Sequence, residues 1–384
     1  VTAPPYDVID GAERAALAAA HPANAVHVDC PVGDLGTGGS GAGTESADPY
    51  ADAGATFQAW LVAGDLVADP APSFTLYRMS FADETGRARS TTGVIGALGL
   101  EPPGQGDVLP HERTTPKAKS DRLDLLRAAR ANLSPVWGLS LAEGLSALLE
   151  PAGPPLAEWN DPDFVTHAAW RVDDPDAVAA IRAAVASAPV VIADGHHRYQ
   201  TCLDYQAEVG ATVPGADATL CLVVELVESQ LTVQPIHRLL TGLPAGFDVL
   251  EALAPTFDVI EAGPPPGPEV LERMAADGAL LLVLPGGSWL LHPRAEALAD
   301  VPDLDSSRLD AALEGFPEHG LAYQHGVAQV VDAVESGRAD AGFLLRPVTV
   351  AQIADVAHAR DRMPPKTTFF WPKPRTGVVF RSLA

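Results

Sequence analysis

The sequence predicts an α/β protein, an α+β arrangement on a mixed sheet with a smaller α+β insertion, and three observations carry the prediction. Apolar runs with strand character alternate with segments of helical periodicity along most of the chain. A strand, turn, helix, strand unit runs from Val190 to Val227. Beyond Leu240 the texture changes to short helices alternating with short strands. At 384 residues with 47% apolar content, the chain can bury more than one core. The expected division is a main lobe over 1–240, a small α+β domain over 241–345, and a C-terminal segment, 346–384, that returns to the main lobe.

Gly11 to Ala20 is Ala-rich and reads as a helix, and Ala25 to Cys30 alternates enough to read as a strand. A Gly/Ser/Asp-rich loop follows from Gly33 to Asp48. It contains Gly36-Thr37-Gly38-Gly39-Ser40-Gly41, which matches GxGxxG, but polar residues continue to about Pro49 where a dinucleotide-binding turn would open a helix. A low-complexity loop is the better reading. Phe57, Trp60 and Leu61 place a helix over Tyr50 to Val67, and Phe74–Phe81 and Thr92–Leu98 read as paired strands. After a polar block from Leu109 to Asp121 comes a helix with Ser120 as its N-cap and Leu123, Leu126 and Ala129 on one face.

Asp174 to Ala188 reads as a helix with Val178, Ile181 and Val185 on one side. Then come the strand Val190–Ala193, a polar turn, a helix from about Tyr199 to Glu208, and a strand from Thr219 to Val227. In the insertion, helices are predicted at Val249–Leu253 and Pro268–Ala276, and strands at Phe257–Glu261, Leu280–Leu284 and Trp289–His292. A helix near Thr349–Arg360 leads into a run from Met363 to Phe380 dense in Pro, Lys and aromatic residues.

The chain carries 25 basic and 50 acidic residues, a net charge of -25, which repels nucleic acid and anionic lipid. A small anionic ligand, with no nucleic acid and no membrane, is the expected partner. A protein partner or homo-oligomer stays open. Cys30, Cys202 and Cys221 form no CxxC pair and are odd in number, as in a reducing compartment. Apolar runs fall short of the roughly 20 residues a membrane helix needs. The chain opens on Val1 with no basic-then-apolar leader, so the expected location is cytoplasmic.

Basic residues gather in a few motifs. In Ala193-Asp194-Gly195-His196-His197-Arg198-Tyr199 an apolar strand stops at an acid, a Gly removes bulk, and two His and an Arg open a helix. Such a turn offers backbone N–H groups and a positive helix end to phosphate, with Arg198 able to make a bidentate contact. In His111-Glu112-Arg113-Thr114-Thr115-Pro116-Lys117, Glu112 can deprotonate a hydroxyl while Arg113, Thr114 and Lys117 hold phosphate. A solvated charged loop fits the same block. Pro235-Ile236-His237-Arg238 and Lys366, Lys373 and Arg375 add further cations, although Phe369, Phe370 and Trp371 also suit a packing role. No GxSxG elbow, Walker loop or HExxH spacing occurs.

Taken with Ala3-Pro4-Pro5-Tyr6-Asp7-Val8-Ile9 and Met363-Pro364-Pro365-Lys366-Thr367-Thr368-Phe369-Phe370-Trp371-Pro372-Lys373, these motifs resemble, over essentially the whole chain, the family called domain of unknown function 1015. Ile236 and Thr367 stand where that family usually has Thr and Ser. The DGHHR element is also similar to the signature of the superfamily of ParB nucleotide-binding domains, sulfiredoxins and free-serine kinases. That resemblance implies a ParB/sulfiredoxin-like core and a turn that binds nucleotide phosphate. Sulfiredoxin chemistry needs a Cys where His196 stands.

The expected function is a nucleotide-dependent phosphotransferase, a small-molecule kinase using ATP or ADP with Mg²⁺ on a hydroxyl-bearing metabolite, free serine first. Gly195, His197, Arg198, Arg113, Thr114, Lys117, His237, Arg238, Lys366 and Lys373 would hold phosphate, with Glu112, Asp194 and His196 catalytic and Asp194 on the metal. Two alternatives stay open. One is a metal-dependent phosphohydrolase using Asp194, His196, His197 and His237; the other is a non-catalytic nucleotide sensor.

Overall fold

The computed structural model describes residues 1–31, 48–83, 86–110 and 119–383. The GxGxxG stretch and the motif from His111 to Lys117, with Glu112, Arg113 and Thr114, lie outside the described residues. The chain divides into two compact units, Val1–Thr232 with Pro372–Ala384, and Val233–Trp371.

The first unit contains helices α1 (Gly11–Ala20), α2 (Val26–Asp29), α3 (Pro49–Ala63), α4 (Lys119–Ala129), α5 (Leu145–Leu148), α6 (Pro175–Val185) and α7 (His196–Val209). Its strands are β1 (Phe74–Ala82), β2 (Ala88–Gly99), β3 (Val108–Pro110), β4 (Ala131–Asn132), β5 (Val136–Ser140), β6 (Ala157–Asn160), β7 (Thr166–Val172), β8 (Val190–Asp194) and β9 (Ala218–Glu225). Eight strands form one sheet in the order β3-β8-β5-β9-β2-β1-β7-β6. The pairs β3/β8 and β5/β9 are parallel and the others antiparallel, so the sheet is mixed, as predicted.

Local chemistry explains the helix boundaries. Asp48 caps α3 by accepting from the Tyr50 and Ala51 amides, Pro49 presets the first turn, and Gly64 closes the helix at φ 80°. Asp174 caps α6 through the Ala177 amide, again with a proline at the first position. The main apolar cluster of this unit lies between the sheet and α6 and includes Leu76, Val94, Val136, Ile181, Ile192 and Val223. A second cluster joins α3 and α4 through Phe57, Trp60 and Leu125. All three cysteines are buried.

Two local readings change. Ala25–Cys30 is not a strand. The Asn24 side chain accepts from the Val26 amide and turns the chain into α2, and Val26, Val28 and Asp29 are all buried instead of alternating. Ser120 stands inside the first turn of α4, which begins at Lys119, and so is not its N-cap.

The second unit contains α8 (Val249–Leu253), α9 (Val270–Asp277), α10 (Asp305–Leu313), α11 (Val327–Glu335) and α12 (Val350–His358). Its strands are β10 (Thr232–Gln234), β11 (His237–Thr241), β12 (Phe257–Gly263), β13 (Leu280–Leu284), β14 (Gly287–Pro293), β15 (Gly320–Gln324), β16 (Ala341–Leu344) and β17 (Phe369–Trp371). Six of them form a sheet in the order β12-β14-β13-β16-β11-β15. The division therefore differs from the expected 240/241 and 345/346. Because β11 is bonded between β16 and β15, it belongs to the second sheet, and the chain returns to the first unit only at Pro372. It ends there in β18 (Arg381–Ser382), which pairs with β4.

Candidate functional site

The Asp194 turn is built by the sheet. Val190 to Ala193 are buried, β8 stops at Asp194, and α7 begins at His196. Gly195 between them takes φ 87°, and a Cβ there would lie 3.1 Å from the Arg198 guanidinium carbon and Nε. Only glycine lets the chain turn this sharply while Arg198 folds back against it. The Arg198 Nη2 then reaches Asp194 Oδ2 at 2.5 Å, and its Nη1 donates to the Pro135 carbonyl. His196 and His197 occupy the first helical turn.

The other Asp194 oxygen is held by a residue from the far end of the chain. Lys373 Nζ lies 2.5 Å from Oδ1. Its segment is pinned by a two-way backbone bridge between Ala3 and Thr376, at 3.0 and 2.9 Å, and by a bond between the Ser134 and Thr376 hydroxyls. Lost hydration would push the Asp194 carboxyl up, but Lys373 and then Arg198 outweigh it and hold the group well below the usual carboxylate range. Burial likewise opposes the Arg198 charge, and Asp194 followed by Asp7 more than restores it.

The N-terminal motif completes the site with residues that the sequence reading did not assign to it. Asp7 is water-accessible, yet the protein around it is dense enough that lost hydration leads the causes raising its carboxyl, with Asp194 next and Arg198 and Lys373 opposing. Its neighbour Tyr6 lies under the Arg122 guanidinium, 4.0 Å from ring centroid to Cζ, and burial pushes the Tyr6 hydroxyl up to about 12. Arg122 and Arg198 both line a small cavity of about 50 Å³, together with Asn132, Ser134 and Thr201. Arg122 donates to the Asp29 carbonyl and pairs with Asp121, while its buried Nη2 has no hydrogen-bond partner among the described residues. Asp7 was legible as part of a motif; Arg122 carried no signal beyond being a basic residue on a helix.

The remaining predicted residues belong to the second unit. His237 is buried, and its Nδ1 accepts from the Leu345 amide at 3.1 Å, which leaves Nε2 to carry the proton. Burial, then His325 and Arg238, lowers its pKa to about 3. Arg238 is 2% exposed and donates to the Ile236 and Pro365 carbonyls beneath the Tyr323 ring. Those bonds make it a clamp within its own unit. Lys366 is exposed in a left-handed turn, φ 57°.

The residues expected to take Mg²⁺ do not fit it as they stand. Each Asp194 oxygen faces a cation, and among the described residues no group of three or more His, Cys, Asp or Glu side chains is gathered for a metal.

The model of the family described as a protein of unknown function, DUF1015, matches residues 1–312. The chain belongs to the DUF1015 family. Comparison with curated protein sequences gives no match. Among solved structures, this DUF1015 chain is similar to a conserved hypothetical protein from Pyrococcus furiosus at 15% identity and a TM-score of 0.38, covering 76% of this chain and 95% of that one. It is similar to a free serine kinase in complex with AMP at 15% identity and a TM-score of 0.39, covering 72% and 86%. It is also similar to C-terminally truncated SbnI from Staphylococcus aureus at 11% identity and a TM-score of 0.40, covering 73% and 85%.

Proposed function

We propose that this protein is a nucleotide-dependent phosphotransferase that uses ATP or ADP to phosphorylate a small hydroxyl-bearing metabolite, with free serine the first candidate acceptor. The observation that carries the reading is the convergence of Lys373 and Arg198 on Asp194 at the start of α7. Two cations fixed by one carboxylate, beside backbone N–H groups at a helix start, suit a phosphate that carries more charge than one cation can neutralise.

In this reading Asp194 is the positioning residue. It holds the guanidinium and the ammonium apart and aimed before the nucleotide arrives, so little ordering remains to be done on binding. Arg198 and Lys373 then exchange part of their contact with Asp194 for phosphate oxygens and stabilise the charge that builds on the transferred group. His196 and His197 add donors from the first helical turn. Taking the acceptor proton falls to a carboxylate. Glu112 is the base that this reading assigns. Asp7, accessible and with its proton affinity raised, is the alternative within the described residues.

The test is incubation of purified protein with ATP or ADP, Mg²⁺ and a panel of hydroxy amino acids and sugars, followed by phosphorus NMR. A new phosphomonoester that disappears in Lys373→Ala supports the reading. Nucleotide binding with no turnover on any acceptor would replace it with a sensor, and no nucleotide binding at all would sink both.

A further inference from the structure

We infer that the first unit carries a second small-molecule site, away from Asp194, that takes a molecule with an apolar body and a primary ammonium group. Between α6 and the sheet lies a cavity of about 380 Å³. Its floor is the sheet face at Val94, Leu98 and Val223, and its wall is Ile181 and Val185 of α6. The cavity opens to solvent, with Ala97, Gly99 and Ala186 exposed along its lining. A mostly apolar space of this size is in the range of small-molecule pockets. Part of its lining, Val94, Ile181 and Val223, belongs to the main apolar cluster.

The polar groups around it select the head group. Glu101, Asp107 and Arg182 line the cavity, two carboxylates against one guanidinium, and Arg182 is on the exposed side of α6. Glu101 is the fixed member. Its Oε2 accepts from the Asp107 amide at 2.6 Å and the Val108 amide at 2.8 Å, so the carboxylate is locked in place. Its backbone is locked as well, because the Tyr199 hydroxyl accepts from the Glu101 amide at 2.8 Å and lies 3.0 Å from its carbonyl. Oε1 accepts no hydrogen bond among the described residues. A preorganised carboxylate with one oxygen unused, at the edge of an apolar cavity in an acidic protein, matches an ammonium and repels a second carboxylate. Tyr199 belongs to α7, so the rim of this cavity and the helix that carries Arg198 share a contact.

This site does not rest on the phosphotransfer reading, and its test uses no nucleotide. Phenethylamine, phenethyl alcohol and hydrocinnamate share one apolar body and differ in the head group. In calorimetric titrations of the full chain at neutral pH, the amine is expected to bind about tenfold more tightly than the alcohol, with no binding by the carboxylate. Glu101→Gln keeps an acceptor for both amides and should bring the amine down to the alcohol's affinity while leaving the alcohol unchanged. Leu98→Trp fills the cavity and should abolish binding of both, with Val185→Trp as a second filled variant from the opposite wall and thermal melts to establish that each folds. The inference is overturned if the wild-type protein shows no heat with the amine at millimolar concentration, if amine and alcohol bind alike, or if a folded, filled variant still binds.

Discussion

Lys373 Nζ and Asp194 Oδ1 lie 2.5 Å apart across 179 positions of sequence, and with Arg198 on the second oxygen they form a two-cation grip on one carboxylate. Opposite charges in so buried a setting are strongly coupled, and removing one member exposes what the others were doing.

Lys373→Ala is expected to weaken ADP binding by tenfold or more, roughly 1.5–3 kcal/mol, because one charge-assisted contact to phosphate is lost. Stability should fall by a comparable amount, since Asp194 loses one of the two cations bonded to it among the described residues. Titration calorimetry and urea denaturation measure the two effects separately.

Asp194→Asn leaves Arg198 and Lys373 facing each other without their shared anion, an arrangement that costs about 3–5 kcal/mol when a buried pair is broken. Inorganic phosphate should therefore raise the melting temperature of this variant more than that of the wild type, while turnover is lost. The wild-type carboxyl is depressed in the folded state, so its contribution is complete above the unfolded value of about 3.9 and disappears as pH falls below it. Equal phosphate stabilisation of both proteins would contradict the grip.

Asp7 runs the other way. Its carboxyl is raised, so its ionised form is disfavoured by the fold, and Asp7→Asn should raise the melting temperature at pH 7. The advantage should shrink as the pH is lowered through the carboxylate range, where the wild-type group also becomes neutral. A stability gain accompanied by lost turnover would place Asp7 in the chemistry.

The second unit offers a separate acid response. His237 has a folded pKa of about 3 against an ordinary value of 6.5, so it contributes stability above pH 6.5 that is lost as pH falls toward 3. His237→Asn keeps an acceptor for the Leu345 amide and removes the titration, so its stability should stay flatter across that range. His237→Ala loses the acceptor as well and should be destabilised by about 1–3 kcal/mol at neutral pH.

The Asp194 turn was legible because an apolar strand that stops at Asp-Gly and opens on His-His-Arg has few structural readings. The mixed sheet was legible from the same alternation of strand and helix patterns. The pairing of the two neighbouring strands β1 and β2 was legible, but pairings between distant segments were not. Nothing local to Lys373 says that it reaches Asp194, because the contact is set by the Ala3–Thr376 bridge, and Asp7 joins the site through the same folding of the two chain ends. The unit boundary was misplaced because β11 reads as a strand of either sheet until its partners β15 and β16 are known. Ala25–Cys30 misled because four residues are too few to reveal a helical period, and alternating valines imitate a strand.

The most direct test of the phosphate grip is calorimetric titration of ADP into the wild-type protein and into Lys373→Ala under the same conditions. The expected result is saturable binding by the wild type, weakened tenfold or more by the substitution. Equal affinity in the two proteins, or no binding in either, would contradict the account.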